Sequence, residues 1–164
     1  VTSGYIPLGG IGVSDAIKKT MDETEPAKRW MHAYTYSAHP VSTAVALANL
    51  DYFEKHDLVT RAAETGAHFQ AGLKSLEASH AKVGEARGIG MMGALELLED
   101  RAARRKFPAE LKIGDKLHAE CVKRGLWTRP REHIYPLSPP LTTTREEIDR
   151  IINIVDESLT AIGA

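Results

Sequence analysis

HAYTYSAHPVSTAVALANLDYF, residues 32–53, joins a loop rich in hydroxyls and ring nitrogens to an alanine- and valine-rich segment. Pro40 suits the first helical turn, where its missing N–H has no intrahelical bond to lose and its fixed φ matches the helix. Behind it, Val41, Ala44, Val45, Ala48 and Tyr52 recur at helical spacing. So many small side chains predict a helix packed closely on more than one side. The preceding loop gathers His32, Tyr34, Thr35, Tyr36, Ser37 and His39. Such a set of hydrogen-bonding groups suits an anion, because first-turn N–H groups are unpaired and the helix dipole adds favourable potential. The plainer alternative is a polar loop that only caps its own helix.

The composition narrows the choice of function. The chain has 164 residues and a formal net charge of -1, with no basic stripe, which argues against nucleic acid as a partner. No apolar run reaches the length of a membrane span and no signal segment is present, so a soluble, cytoplasmic protein is expected. Cys121 is the only cysteine, so an internal disulfide and a cysteine-rich zinc site are both ruled out. His32 and His39 lack metal-ligand spacing, and no metal site is expected. The chain opens at Val1 inside an ordered-looking pattern, which reads as a piece of something longer.

Working outward, VTSGYIPLGGIGV (residues 1–13) predicts a loop leading into a buried strand at 8–13, with Gly9, Gly10 and Gly12 placed for close backbone packing. Ser14 is placed to cap a short helix from Asp15 to about Met21. A second helix is predicted over 58–76 on Leu58, Ala62, Phe69, Leu73 and Leu76, weakened at Gly66 and Gly72 by about 1 kcal/mol each relative to alanine. VGEARGIGMMGALELLED (residues 83–100) then reads as two short strands broken near Gly88 and Gly90, with Met91 and Met92 in the core. A helix over 110–124 follows, stopped by Gly125, and then strands at 126–129 and 134–137. Thr144 and Glu147 form a capping-box spacing for a final helix with its apolar stripe on Ile148, Ile151, Ile152, Val155, Leu159 and Ile162. Arg87 is placed to pair with Glu85 or Glu96. From residue 57 onward the pattern is that of a small α+β domain with helices covering a sheet.

Four segments, VTSGYIPLGGIGVSD, HAYTYSAHPVSTAVALANL, VGEARGIGMMGALEL and GLWTRPREHIYPLSPPLTTTREEID, occur in this order and spacing. Together they resemble the C-terminal third of the class III pyridoxal-phosphate-dependent aminotransferases, in the amine or omega-amino acid:pyruvate branch. The resemblance implies an α/β protein of fold type I. Residues 1–56 would end the large cofactor-binding domain, and 57–164 would form the small C-terminal α+β domain. It implies pyridoxal 5'-phosphate (PLP) as cofactor, an amine or amino acid donor, a keto acid acceptor, and a homodimer or higher homo-oligomer with a shared active site. The Schiff-base lysine would lie two positions before Val1, so the 164 residues alone would be inactive.

Carried over residue by residue, the resemblance makes Thr35 a ligand of the cofactor phosphate through its hydroxyl and N–H. Tyr34 would contribute its neighbouring backbone and side chain, and the cofactor would be held mainly by the other subunit. Ala33 and Ala38 stand where relatives carry glycine. Tyr36 and His39 are expected to be structural. Arg129, ten positions before Pro139–Pro140, matches a mobile arginine that swings in for a substrate carboxylate and away for an amine without one, and Trp127 and Pro130 would limit the volume beside it. The implied reaction is amino transfer to pyruvate or a similar keto acid. Aminomutase or decarboxylase chemistry of the same class, and a non-catalytic α+β interaction domain, are the alternatives.

Overall fold

Hydrophobic period and chain punctuation divide the protein into two compact units, Val1–His56 and Asp57–Ala164, in a computed structural model that describes every residue. The first unit holds two helices, α1 (Asp15–Glu23) and α2 (Pro40–Lys55), with a short 3-10 turn at Pro26–Lys28. Ser14 caps α1 by accepting the Ile17 N–H. No strand forms at 8–13: those residues are irregular and mostly exposed, and a Cβ added at Gly9, Gly10 or Gly12 would meet nothing within 4 Å. An apolar run makes a strand only when a neighbouring strand pairs with it, and this unit contains none.

The small core of this unit is Thr2, Ser42 and Ala46. The Asn49 side chain on α2 fastens the N-terminal turn, donating to the Val1 carbonyl at 2.8 Å and accepting the Ser3 hydroxyl at 2.8 Å. Close packing of α2 on several sides is not found within the unit, where Val41, Leu47, Leu50 and Tyr52 are all exposed.

The second unit runs α3 (Leu58–Ser79), β1 (Val83–Ile89), β2 (Met92–Asp100), β3 (Arg105–Lys106), α4 (Ile113–Lys123), β4 (Ile134–Leu137) and α5 (Arg145–Ala161). The sheet is antiparallel. β2 pairs with β1 from Val83↔Leu97 to Ile89↔Met92, with β4 from Gly93↔Leu137 to Glu96↔Ile134, and with the short β3. Residues 126–129 form no strand, because they exchange no ladder bonds with a neighbour.

Helix ends follow the local chemistry. Thr144 and Glu147 make both bonds of the capping box at the start of α5. At the end of α4, Gly125 adopts φ +89° while Leu126 N–H returns to the Cys121 carbonyl and Gly125 N–H to the Val122 carbonyl, closing the helix.

The core lies between the sheet and its helices. Phe69, Leu73 and Leu76 of α3 meet Val83, Ala86, Leu95 and Leu97 of the sheet, with Leu117 and Cys121 of α4 and Ile148, Val155 and Leu159 of α5. Each fully buried aliphatic side chain contributes about 1.5–3 kcal/mol. Met91, in the turn between β1 and β2, joins this core, whereas Met92 at the start of β2 is 61% exposed. Glycine in α3 is a packing requirement: a Cβ at Gly66 would sit 2.7 Å from Gly90 Cα, and one at Gly72 would sit 2.6 Å from Ile152 Cγ1. Two histidine–carboxylate pairs tie α3 and the residue after it to α5, His68–Asp149 at 2.6 Å and His80–Asp156 at 2.7 Å. No helix is long and apolar enough to cross a membrane.

Candidate functional site

The loop ahead of α2 folds into a turn over residues 35–38. Ser37 N–H donates to the Tyr34 carbonyl at 3.0 Å, and Tyr34 N–H donates back to Ser37 Oγ at 3.2 Å. The turn closes through Ala38 at φ +54°, a left-handed conformation in which an L side chain is strained. Trp30, His32 and Tyr34 support it from outside, with Trp30 stacked on His32 at 5.4 Å and His32 edge-on to Tyr34 at 4.5 Å.

Capping of α2 by its own loop is not what this turn does. The N-cap residue, His39, makes no side-chain cap bond, and its Nδ1 is buried without a partner. Ser37 spends its hydroxyl on Tyr34, and the Thr43 hydroxyl turns back to the His39 and Pro40 carbonyls. Thr35 is exposed, and neither its hydroxyl nor its N–H has a partner in the chain. A free hydroxyl and a free amide on a turn before an uncapped helix form a donor set for an oxyanion. Tyr34 is placed differently: its N–H is engaged by Ser37, and its ring is 72% exposed. This leaves its phenol as the group it can offer.

Arg129 lies in the second unit, on the connection from α4 to β4. It is exposed and forms no ion pair or side-chain hydrogen bond within the chain. The neighbouring charges are committed. Glu96, 11% exposed at its side chain, takes Arg87 at 3.3 Å and Arg104 at 3.2 Å on one oxygen, and faces His133 Nε2 at 3.4 Å with the other. Arg87 also reaches Glu85 at 3.0 Å, so it pairs with both expected carboxylates. Trp127 is exposed and edge-on to His118 at 6.2 Å. In the core beneath, burial first and the adjacent Cys121 thiol second push the Tyr135 phenol above its ordinary range.

Tyr34 and Thr35 are therefore adjacent in the first unit, and Arg129 belongs to the second. Three residues around these positions carried no signal in the sequence. Asn49 fastens the TSGY turn, Thr128 donates to the Pro136 carbonyl at 2.5 Å, and Gly114 donates its N–H to the Glu132 carbonyl at 3.1 Å. Asn49 and Gly114 act through contacts far along the chain, and Thr128 through a contact eight residues ahead. No group of three or more His, Cys, Asp or Glu side chains is arranged to hold a metal ion.

A sequence profile described as Aminotransferase class-III matches residues 1–159. Diaminobutyrate–2-oxoglutarate transaminase of Halomonas elongata is 41% identical over 174 residues, covering 100% of this chain and 37% of the relative. The crystal structure of a thermostable (S)-enantioselective omega-transaminase from Thermomicrobium roseum has a TM-score of 0.92 and 43% identity, covering 98% of this chain and 35% of that one. An amine transaminase from an uncultivated Pseudomonas species, solved in its PLP-bound form, has a TM-score of 0.92 and 36% identity, covering 99% of this chain and 37% of that one. The chain thus spans between 35% and 37% of the length of these relatives.

Proposed function

The chain belongs to the class-III aminotransferase family and has its fold-type I α/β architecture; from that premise we propose that it forms part of a PLP-dependent enzyme. That enzyme moves an amino group from an amine or omega-amino acid, such as β-alanine, to pyruvate or a similar keto acid. Residues 1–56 are the end of the large cofactor-binding domain and residues 57–164 the small C-terminal domain.

The observation that carries this reading is Thr35, with an unpartnered hydroxyl and N–H on a turn before an uncapped helix. Its donor set fits a phosphate dianion. Thr35 binds that phosphate with two donors, and the positive end of the α2 dipole adds a favourable potential for the anion. The Tyr34 phenol offers a third contact, while Ser37 holds the Tyr34 main chain in place. PLP, when bound, supplies the electron sink that lets a proton leave the donor carbon. Arg129 has no internal carboxylate to release before it pairs with that of a substrate, and its fork-shaped guanidinium matches a carboxylate in bidentate fashion.

A homodimer with a shared site follows from the same reading. Ile11 at 88%, Met31 at 83% and Leu47 at 63% exposure leave apolar surface on the first unit that a partner subunit and the rest of the large domain would cover.

The test uses the full-length protein. PLP uptake is followed by absorbance, and alanine or glutamate formation is followed with pyruvate or 2-oxoglutarate and a panel of amine donors. PLP uptake with transfer to either keto acid supports the reading. PLP uptake with only a rearranged or decarboxylated amino acid as product replaces it with aminomutase or decarboxylase chemistry. Absence of PLP uptake defeats it.

A further inference from the structure

Arg129 stands on a backbone fastened on both sides. One residue before it, the Thr128 hydroxyl donates to the Pro136 carbonyl of β4 at 2.5 Å. One residue after it, Pro130 fixes its own φ and disfavours helical backbone at Arg129. Beyond Pro130, the Arg131 and Ile134 main chains exchange two hydrogen bonds of 2.8 Å. Glu132, at φ +53°, turns its carbonyl to the Gly114 N–H at 3.1 Å.

Gly114 is the point where this turn rests on α4. A Cβ there would lie 2.1 Å from the Glu132 oxygen and 3.4 Å from Pro130 Cβ, so no larger residue allows the same approach. The guanidinium of Arg129, by contrast, is tied to nothing.

We propose that Thr128 and Gly114 are positioning residues for carboxylate recognition, holding the Arg129 main chain still so that one side chain's rotation selects between substrates with and without a carboxylate. The inference rests on the role given to Arg129 above. Physically, a fixed base leaves only the rotamer freedom of one side chain to be lost when a carboxylate binds. A moving loop would add the ordering of its backbone to that cost. It also keeps the guanidinium at the same reach from the reacting centre, where a displacement of about 1 Å can cost two orders of magnitude in rate.

The experiment uses full-length holoenzyme and the variants Thr128→Val, Thr128→Ser, Gly114→Ala and Arg129→Ala. Two quantities are read. One is the inhibition constant of propionate, a carboxylate without an amine. The other is the ratio of kcat/KM for β-alanine over propylamine in the donor half-reaction, where no keto acid carboxylate enters. Thr128→Val is expected to weaken propionate about tenfold and to lower the ratio by a similar factor, and Thr128→Ser to restore both. Gly114→Ala gives the same shift, which keeps the test decisive if the valine variant does not fold. Parental values of both quantities in Thr128→Val and Gly114→Ala, alongside a collapse in Arg129→Ala, would overturn the inference and leave the role of Arg129 standing. Equal losses for β-alanine and propylamine in the Thr128 variant would reduce it to a structural residue, which also overturns the inference. Parental values in Arg129→Ala would remove the role of Arg129 and the inference with it.

Discussion

The Glu77 carboxylate, near the end of α3, accepts the main-chain N–H of Ala86 on β1 at 2.8 Å. Lys74 pairs with the same oxygen at 2.7 Å, and Arg101 takes the other at 2.9 Å. One side chain thus closes part of the outer edge of the sheet and fastens it to a helix. It also draws in the start of the β2–β3 connection.

This arrangement sets a pH dependence. The Lys74 hydrogen bond first, and the Ala86 N–H second, hold the Glu77 carboxyl below its ordinary value of 4.5. A carboxyl lowered on folding stabilises the native state above that value and loses the contribution as pH falls through the folded pKa. Glu77→Gln should therefore cost about 1 kcal/mol at neutral pH by denaturant titration. The difference from the parent should shrink as the pH is taken below 4.5. A difference that stays constant into acid would show that the charge of Glu77 plays no part.

Ala38 is the strained residue of the Thr35 turn, at φ +54°. Ala38→Gly relieves a left-handed backbone cost of about 1–2 kcal/mol, against a smaller loss of chain entropy, and should raise stability by up to about 1 kcal/mol. Thermal unfolding of the full-length protein measures it. A fall in stability would mean that the alanine methyl packs against something that the isolated units leave open.

Gly66 and Gly72 should part company when each is changed to alanine. At Gly66 the new methyl meets Gly90 main chain at 2.7 Å, so the helix and the hairpin must separate. At Gly72 it meets Ile152 Cγ1 at 2.6 Å and Cδ1 at 2.9 Å, side-chain atoms that can shift where the Gly90 main chain cannot. Gly66→Ala is expected to cost about 1–3 kcal/mol, and Gly72→Ala less than about 1 kcal/mol after the gain in helix propensity. Equal effects in chemical denaturation would contradict this contrast.

These glycines show where the sequence was legible and where it was not. Helix ends could be read because their chemistry is local: Thr144 with Glu147, Gly125 after α4, Ser14 before α1. The hairpin could be read from the glycines between two apolar runs. A strand at 8–13 was misread because apolar composition says nothing about whether a pairing partner is near. Residues 126–129 form no strand for the same reason. Gly66, Gly114 and Asn49 act through contacts with residues far along the chain, which no pattern within a window of sequence contains, and the Thr128 bond to Pro136 depends on how the intervening turn folds. At the loop, the sequence located the donors but could not show that Ser37 engages Tyr34 N–H and leaves Thr35 free.

Arg129→Ala tests the carboxylate-recognition role proposed for that residue. A bidentate, charge-assisted pair with a substrate carboxylate contributes about 2–3 kcal/mol, so its loss should lower kcat/KM for β-alanine by about thirty- to a hundredfold. The loss for an amine without a carboxylate should be several times smaller in the donor half-reaction. Equal losses would remove Arg129 from substrate recognition.

The most direct measurement of the central claim is the dissociation constant of PLP for the full-length protein and its Thr35→Ala variant, with Thr35→Ser as control. Loss of a hydroxyl that donates to a phosphate dianion should weaken PLP about ten- to a hundredfold, with thermal stability of the cofactor-free protein unchanged. Serine should restore most of the affinity. An identical dissociation constant for parent and Thr35→Ala would contradict the account, because the turn ahead of α2 would then hold no phosphate.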